Sequence, residues 1–120
     1  MKINTVFLFC LLYLSQLSQA QDLAGKHVFY DIPIIDGAKH IEKKDLAYEE
    51  LATLRYATEL SPRKVIAFYQ QKITAEMNLR KFKQTTILSY KNNGLSRMIS
   101  ITNYYGVADV VIQVQKPNTN

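Results

Sequence analysis

Asp36, His40 and Glu42 lie close together in the sequence and are the first side chains that could hold a metal ion. A metal site needs three or four ligands that converge. His40 and Glu42 would point to one side of a strand, but the trio has no ligand-spacing signature. The residues read as polar surface, and no metal ligand is assigned. Glu49 and Glu50 are neighbours, so on a strand they would face opposite ways and could not work as an acid–base pair. No nucleophile elbow, Gly-rich phosphate loop or H-E-x-x-H helix is present. The serines have no identifiable histidine and acid partners. The sequence thus offers no catalytic residue and no cofactor site.

What remains is basic. Arg63 and Lys64 stand in the first turn of a predicted helix, where the dipole favours acids by roughly 0.3–1 kcal/mol. With the helix N-terminus they form a candidate anion site; the competing reading is two surface cations neutralised by Glu59 or solvent. The second basic group is "RKFK" (80–83) with Lys91 and Arg97. Bases interleaved with an aromatic can bind nucleic acid, but the start of the chain argues for export and against that use.

Residues 1–20 read as a signal peptide: Lys2, then the short apolar run "VFLFCLLYL", then Ser18 and Ala20 at the small-residue positions before a cleavage site. Cleavage is expected between Ala20 and Gln21. The run is about half the ~20 residues of a membrane-spanning helix, and no long apolar segment follows. Cys10 follows Phe9, where a lipidation site needs a small residue. The leader takes with it the only cysteine and Lys2, which lowers the formal charge from +5 to +4. A small secreted domain without a disulfide fits a bacterial periplasmic or secreted protein. The remaining 100 residues suffice for one core.

Residues 21–31 read as a flexible lead-in, 32–116 as a single domain and 117–120 as a polar tail. "IPIIDGAK" (32–39) is an extended segment with an Asp36-Gly37 turn, and a strand follows around 38–43. In "ELATLRYATEL" (50–60), Leu54, Tyr56, Thr58 and Leu60 share one face. Ser61 is an N-cap, Pro62 falls at N1, and Leu60 with Val65 can form a hydrophobic staple. Val65, Ile66, Tyr69, Ile73 and Met77 form one stripe with Phe68 on its flank, which predicts a helix over 62–77 ending at Asn78.

Asn93-Gly94 is a two-residue hairpin signal. Closing it places Leu88 opposite Ile99, Thr86 opposite Ile101 and Phe82 opposite Tyr105. Val110, Ile112 and Val114 face the core from the last strand. The expected fold is α+β: an antiparallel sheet of about five strands, in the order β-β-α-β-β-β, with one helix packed on one face. In that register Phe82 enters the core, while Lys81, Lys83, Ile87 and Lys91 line the outer face beside Met98 and Tyr104. These six residues form a candidate docking face with a modest apolar centre and a basic margin.

"IPIIDGAK" followed by "YATELSPRKVIAFYQQKI" resembles small secreted bacterial envelope domains of unassigned function. Those carry a Gly-Ala segment, a strand ending Y-x-T-x-x-S, a helix with V-x-x-F-Y and a three-stranded meander. Tyr56, Thr58, Ser61, Val65, Phe68 and Tyr69 stand at those positions, and the resemblance covers roughly residues 32–115. Asn78-Leu79 stands where that pattern has Gly-Trp. The resemblance implies the fold and an envelope location and supplies no catalytic residues. The expected function is a non-catalytic periplasmic or secreted binding module. Its partner would be an envelope protein, an anionic envelope component or a second copy of the chain. The alternatives are an inhibitor or accessory subunit of an envelope or secretion machine, and a small cofactor-free enzyme with its cleft between residues 32–50 and the sheet.

Overall fold

The computed structural model describes residues 27–44 and 50–117. The predicted leader with its Ala20–Gln21 cleavage site, residues 21–26, Glu49 and residues 118–120 lie outside the described residues.

The chain is mostly β, which corrects the expectation of a five-stranded α+β domain. Eight strands and one short helix are described. Strands β1 (His27–Phe29) and β2 (Ile32–Ile34) form a separate two-stranded hairpin. Six further strands make one antiparallel sheet: β3 (Lys39–Lys44), β4 (Leu51–Ala57), β5 (Asn78–Phe82), β6 (Thr85–Asn92), β7 (Leu95–Tyr104) and β8 (Val107–Gln115). Their order across the sheet is β3-β4-β8-β7-β6-β5, so the strand that precedes the helix pairs with the last strand. Helix α1 spans Pro62–Lys72 and contacts β7 and β8 at the sheet's centre.

Two turns account for the extra strands. Tyr30 and Asp31 both take positive φ (50° and 67°), which closes β1 on β2. The segment 27–31, read as lead-in, therefore belongs to the fold: Phe29 is only 3 % exposed and joins the core with Ile32, Ile34 and Ile35. The second turn is Lys83–Gln84, which splits the expected long strand into β5 and β6. At Asn93-Gly94 both residues have positive φ, Leu88 lies opposite Ile99 and Thr86 opposite Ile101. Phe82 instead pairs with Thr85 and is 67 % exposed, not in the core.

Ser61 caps α1, its Oγ accepting from the Lys64 N–H at 3.4 Å, with Pro62 in the first turn. The helix turns Val65 and Tyr69 into the core. It stops at Lys72, five residues short of the expected end, with Ile73 already extended. The reason is distance. Strand β5 lies two strands beyond β7, about 10 Å at the usual strand spacing. Extended residues advance about 3.3 Å each and helical ones only 1.5 Å, so residues 73–77 carry the chain outward in extended form.

Candidate functional site

The six-stranded sheet has two unlike faces. One is filled by α1, the β1–β2 hairpin and the inward side chains Leu54, Leu88, Ile99, Ile101, Val110 and Ile112. No described element covers the other. Cross-strand pairing places Ile87, Ser89 and Lys91 of β6, Ser96, Met98 and Tyr104 of β7, and Gln113 and Gln115 of β8 on that open face.

Of the six residues of the expected docking face, four are brought together: Ile87, Lys91, Met98 and Tyr104. Lys81 and Lys83 are not. The two-residue turn at 83–84 reverses the parity of β5, so Lys81 pairs with Thr86 on the helix side, and Lys83 sits in the turn itself. Arg80, opposite Ile87, and Phe82, opposite Thr85, take their places on the open face. Lys83 Nζ lies 5.6 Å from the centre of the Phe82 ring. Phe82, Tyr104 and Tyr105 are all well exposed, Tyr105 at 91 %. The turns that carry them are tied by the Asn103 N–H donating to the Gln84 carbonyl at 2.9 Å.

A groove of about 430 Å³ runs over the end of the face opposite to these rings. Asn78, Ser89, Lys91, Ser96, Met98 and Gln113 are among its lining residues, and Glu76 is its only acid. Lined mainly by amides and hydroxyls, with Lys91 and Arg97 as its cations, it presents hydrogen-bonding groups without a nucleophile–base arrangement. Asp109, the acid of β8, is held by Arg55 at 2.7 Å, and that carboxylate raises the Arg55 pKa by hydrogen bonding and charge. Among the described residues Arg80, Lys83 and Lys91 make no ion pair.

The helix start does not gather an anion site from its neighbours. Arg63 and Lys64 are exposed. Glu59, the acid expected to neutralise them, is instead bound by Lys39 at 2.7 Å, which holds its carboxyl below the usual range. Asp36 lies in a turn, and exposed His40 sits at a β-bulge with φ 55°. Glu42 pairs across from Arg55. Among the described residues no three His, Cys, Asp or Glu side chains converge. Ile32, Ile34 and Ile35 fill the core where the alternative enzyme reading places a cleft wall.

Two buried polar groups escaped the sequence reading. Arg97, grouped there with the surface bases, is 2 % exposed. Its Nε donates to the Tyr30 carbonyl at 3.0 Å, and Nη1 donates to the carbonyls of Asn92 and Leu95. Asp31 Oδ2 lies 3.8 Å from Nη2, and the guanidinium stands 5.8 Å from the centre of the Tyr90 ring. Arg97 thus ties the β1–β2 turn to the β6–β7 hairpin. The signal was present, since the register that puts Ile99 inward puts Arg97 inward too. The second group is Tyr56 and Tyr69, whose hydroxyls are 2.7 Å apart in the core. Burial pushes the Tyr56 pKa up to about 12 and raises that of Tyr69 further. Buried in the core, this pair staples α1 to β4.

Fold and site together define a mostly-β antiparallel domain with one face of its sheet left open. Comparison of the chain with protein-family models, curated proteins and solved structures found no match. Among the described residues no helix is long and apolar enough to cross a membrane.

Proposed function

We propose that this chain is an exported, non-catalytic binding module that docks an anionic partner across the open face of its sheet. The observation that carries the reading is the asymmetry of charge on that face. Arg80 and Lys91 on the face, and Lys83 in the turn at its margin, are unpaired among the described residues, whereas the acids on that side of the sheet, Asp109 and Glu42, lie beside Arg55, Asp109 at 2.7 Å. Around the cations, Ile87, Met98, Phe82 and Tyr104 offer apolar contact area. A cation-rimmed surface of this kind draws an anionic partner by long-range attraction and holds it by contact. The leader-like residues 1–20 and the resemblance to bacterial envelope domains support a periplasmic or secreted location, with an envelope component or protein as the partner.

The experiment is capture from an envelope extract by three forms of the chain. These are the parent, the Arg80→Gln/Lys83→Gln/Lys91→Gln variant and an Arg63→Gln/Lys64→Gln variant with the open face intact. Capture is expected for the parent and the helix-start variant and is lost in the triple variant. It should also be lost for the parent at ~1 M salt, where the Debye length is about 3 Å. Capture that follows Arg63 and Lys64 and ignores the open face would refute the reading.

A further inference from the structure

The two edges of the six-stranded sheet are defended differently. Strand β3 carries a register shift between Lys39 and Glu42, positive φ at His40, and charges at Lys39, Glu42, Lys43 and Lys44. A bulge with dense charge is a device that prevents a further strand from pairing. Strand β5, at the other edge, pairs with β6 in unbroken register over all five residues, and every one of them is exposed. It has no bulge and no proline. No described segment pairs with its outer side.

The register also fixes which backbone groups are free. A two-residue turn makes its flanking residues, Phe82 and Thr85, a mutually hydrogen-bonded pair, and such pairs then alternate along the ladder. Asn78, Arg80 and Phe82 therefore direct their amides and carbonyls to β6. Leu79 and Lys81 direct theirs outward, offering two N–H donors and two carbonyls at the sheet edge. Leu79 is 45 % exposed and Phe82 is exposed beside it.

Charge selects the occupant. A second copy pairing β5 on β5 antiparallel, with both outward residues engaged, would set Leu79 against Lys81 and Arg80 against its own counterpart, and like charges opposed across strands are destabilising. An acidic strand meets the opposite situation. We propose that β5 is a strand-addition site, which takes an extended acidic peptide segment of a partner through the outward backbone groups of Leu79 and Lys81. The site rests on the open-face reading and deepens it: Arg80 belongs to both, so the partner's strand continues the sheet and its flanking residues lie on the open face. Backbone pairing supplies the affinity, and carboxylates beside Arg80 or Lys81 supply the selection.

The test uses an octapeptide of alternating glutamate and valine, whose carboxylates reach Arg80 in one register and Lys81 in the other. Bound to the ¹⁵N-labelled chain, it should slow hydrogen exchange of the Leu79 and Lys81 amides, and the lysine–valine counterpart should not. Methylating alternate amides on the peptide's pairing edge should abolish binding without touching the protein. Lys81→Gln removes the charge and keeps the amide, whereas Lys81→Pro removes both and leaves the β5–β6 bonds intact. Proline should weaken binding at least ~tenfold beyond glutamine, about the loss of one hydrogen bond. Equal binding by the proline and glutamine variants, or binding by the methylated peptide, would overturn the proposal. Shifts confined to Ser89, Met98 and Gln113 would overturn it while leaving the open-face reading in place. No binding at all, or self-association that Lys81→Pro abolishes, would also overturn it.

Discussion

The two faces of the sheet are made by alternate residues of the same strands, yet they treat polar groups in opposite ways. On the covered face the large buried polar side chains are satisfied by the protein itself: Arg97 by three backbone carbonyls, Tyr56 and Tyr69 by each other. Among the described residues no buried side-chain nitrogen or oxygen lacks a partner. On the open face, Arg80 and Lys91 point to solvent and the groove presents amides and hydroxyls without internal partners to absorb them. Outward groups also pair where they can, as Arg55 with Asp109 and Thr85 with Thr102 do, but Arg80, Lys91 and the groove's polar groups stay available for a ligand, while the buried inward groups hold the fold. Substitutions on the two faces should therefore separate stability from binding.

The largest effect is expected at Arg97. Arg97→Met removes the clamp on the β1–β2 turn and leaves the Tyr30, Asn92 and Leu95 carbonyls without this donor. The loss should be about 3–5 kcal/mol in chemical denaturation, from two or more charge-assisted hydrogen bonds at about 1.5–3 kcal/mol each. A loss under 1 kcal/mol would show that the hairpin is held by Phe29 and the isoleucines alone.

The tyrosine pair comes next and is read through pH. Both hydroxyls hold their protons more tightly in the folded chain than in the unfolded one, because burial disfavours the phenolate. Their stabilising contribution is complete below the ordinary tyrosine pKa of ~10 and is lost as pH rises. From Tyr56, raised to about 12, the loss by pH 12 is on the order of 2 kcal/mol, and Tyr69 adds to it. The Tyr56→Phe/Tyr69→Phe double variant should flatten the fall between pH 10 and 12, leaving the slope due to Tyr90, whose pKa is raised by burial. Denaturation midpoints measured across that window check it; an unchanged slope would mean that the pair opens to solvent before it titrates.

Ser61→Ala should cost about 1 kcal/mol through loss of the cap on the Lys64 amide. Smaller still is the effect at the β5–β6 turn. Lys83 takes φ 56° without being glycine, and that conformation costs a residue with a Cβ roughly 1–2 kcal/mol. Part of this is offset in Lys83→Gly by glycine's greater unfolded-state entropy, about 0.5–1 kcal/mol. A net gain of about 0.5 kcal/mol is expected. A loss would mean that the Lys83–Phe82 contact outweighs the backbone strain.

That same turn explains where the sequence was opaque. Asn93-Gly94 is a residue pair made for positive φ, and it fixed β6 against β7 to the residue. Lys83-Gln84 and Tyr30-Asp31 carry no glycine, so nothing in their composition marks a reversal. Missing the first put Phe82 in the core and Lys81 on the wrong face; missing the second left β1 in the lead-in and β2 as an extended segment without a partner strand. The helix start was legible because Ser61 and Pro62 are local chemistry. Its end was not, because the position of β5 at the sheet's edge is a tertiary constraint. Ile87, Lys91, Met98 and Tyr104 could be placed on one face from alternation alone. Arg97 was miscounted because its charge was weighed before its parity.

The most direct test of the divided roles is a paired measurement on Arg80→Gln/Lys83→Gln/Lys91→Gln: its denaturation midpoint, and its association rate with the partner captured by the parent chain. Surface substitutions of this kind should leave stability within about 0.5 kcal/mol. The association rate should fall by roughly tenfold or more, and the remaining rate should lose most of its dependence on salt. An unchanged association rate, or a variant that loses stability without losing its partner, would contradict the account.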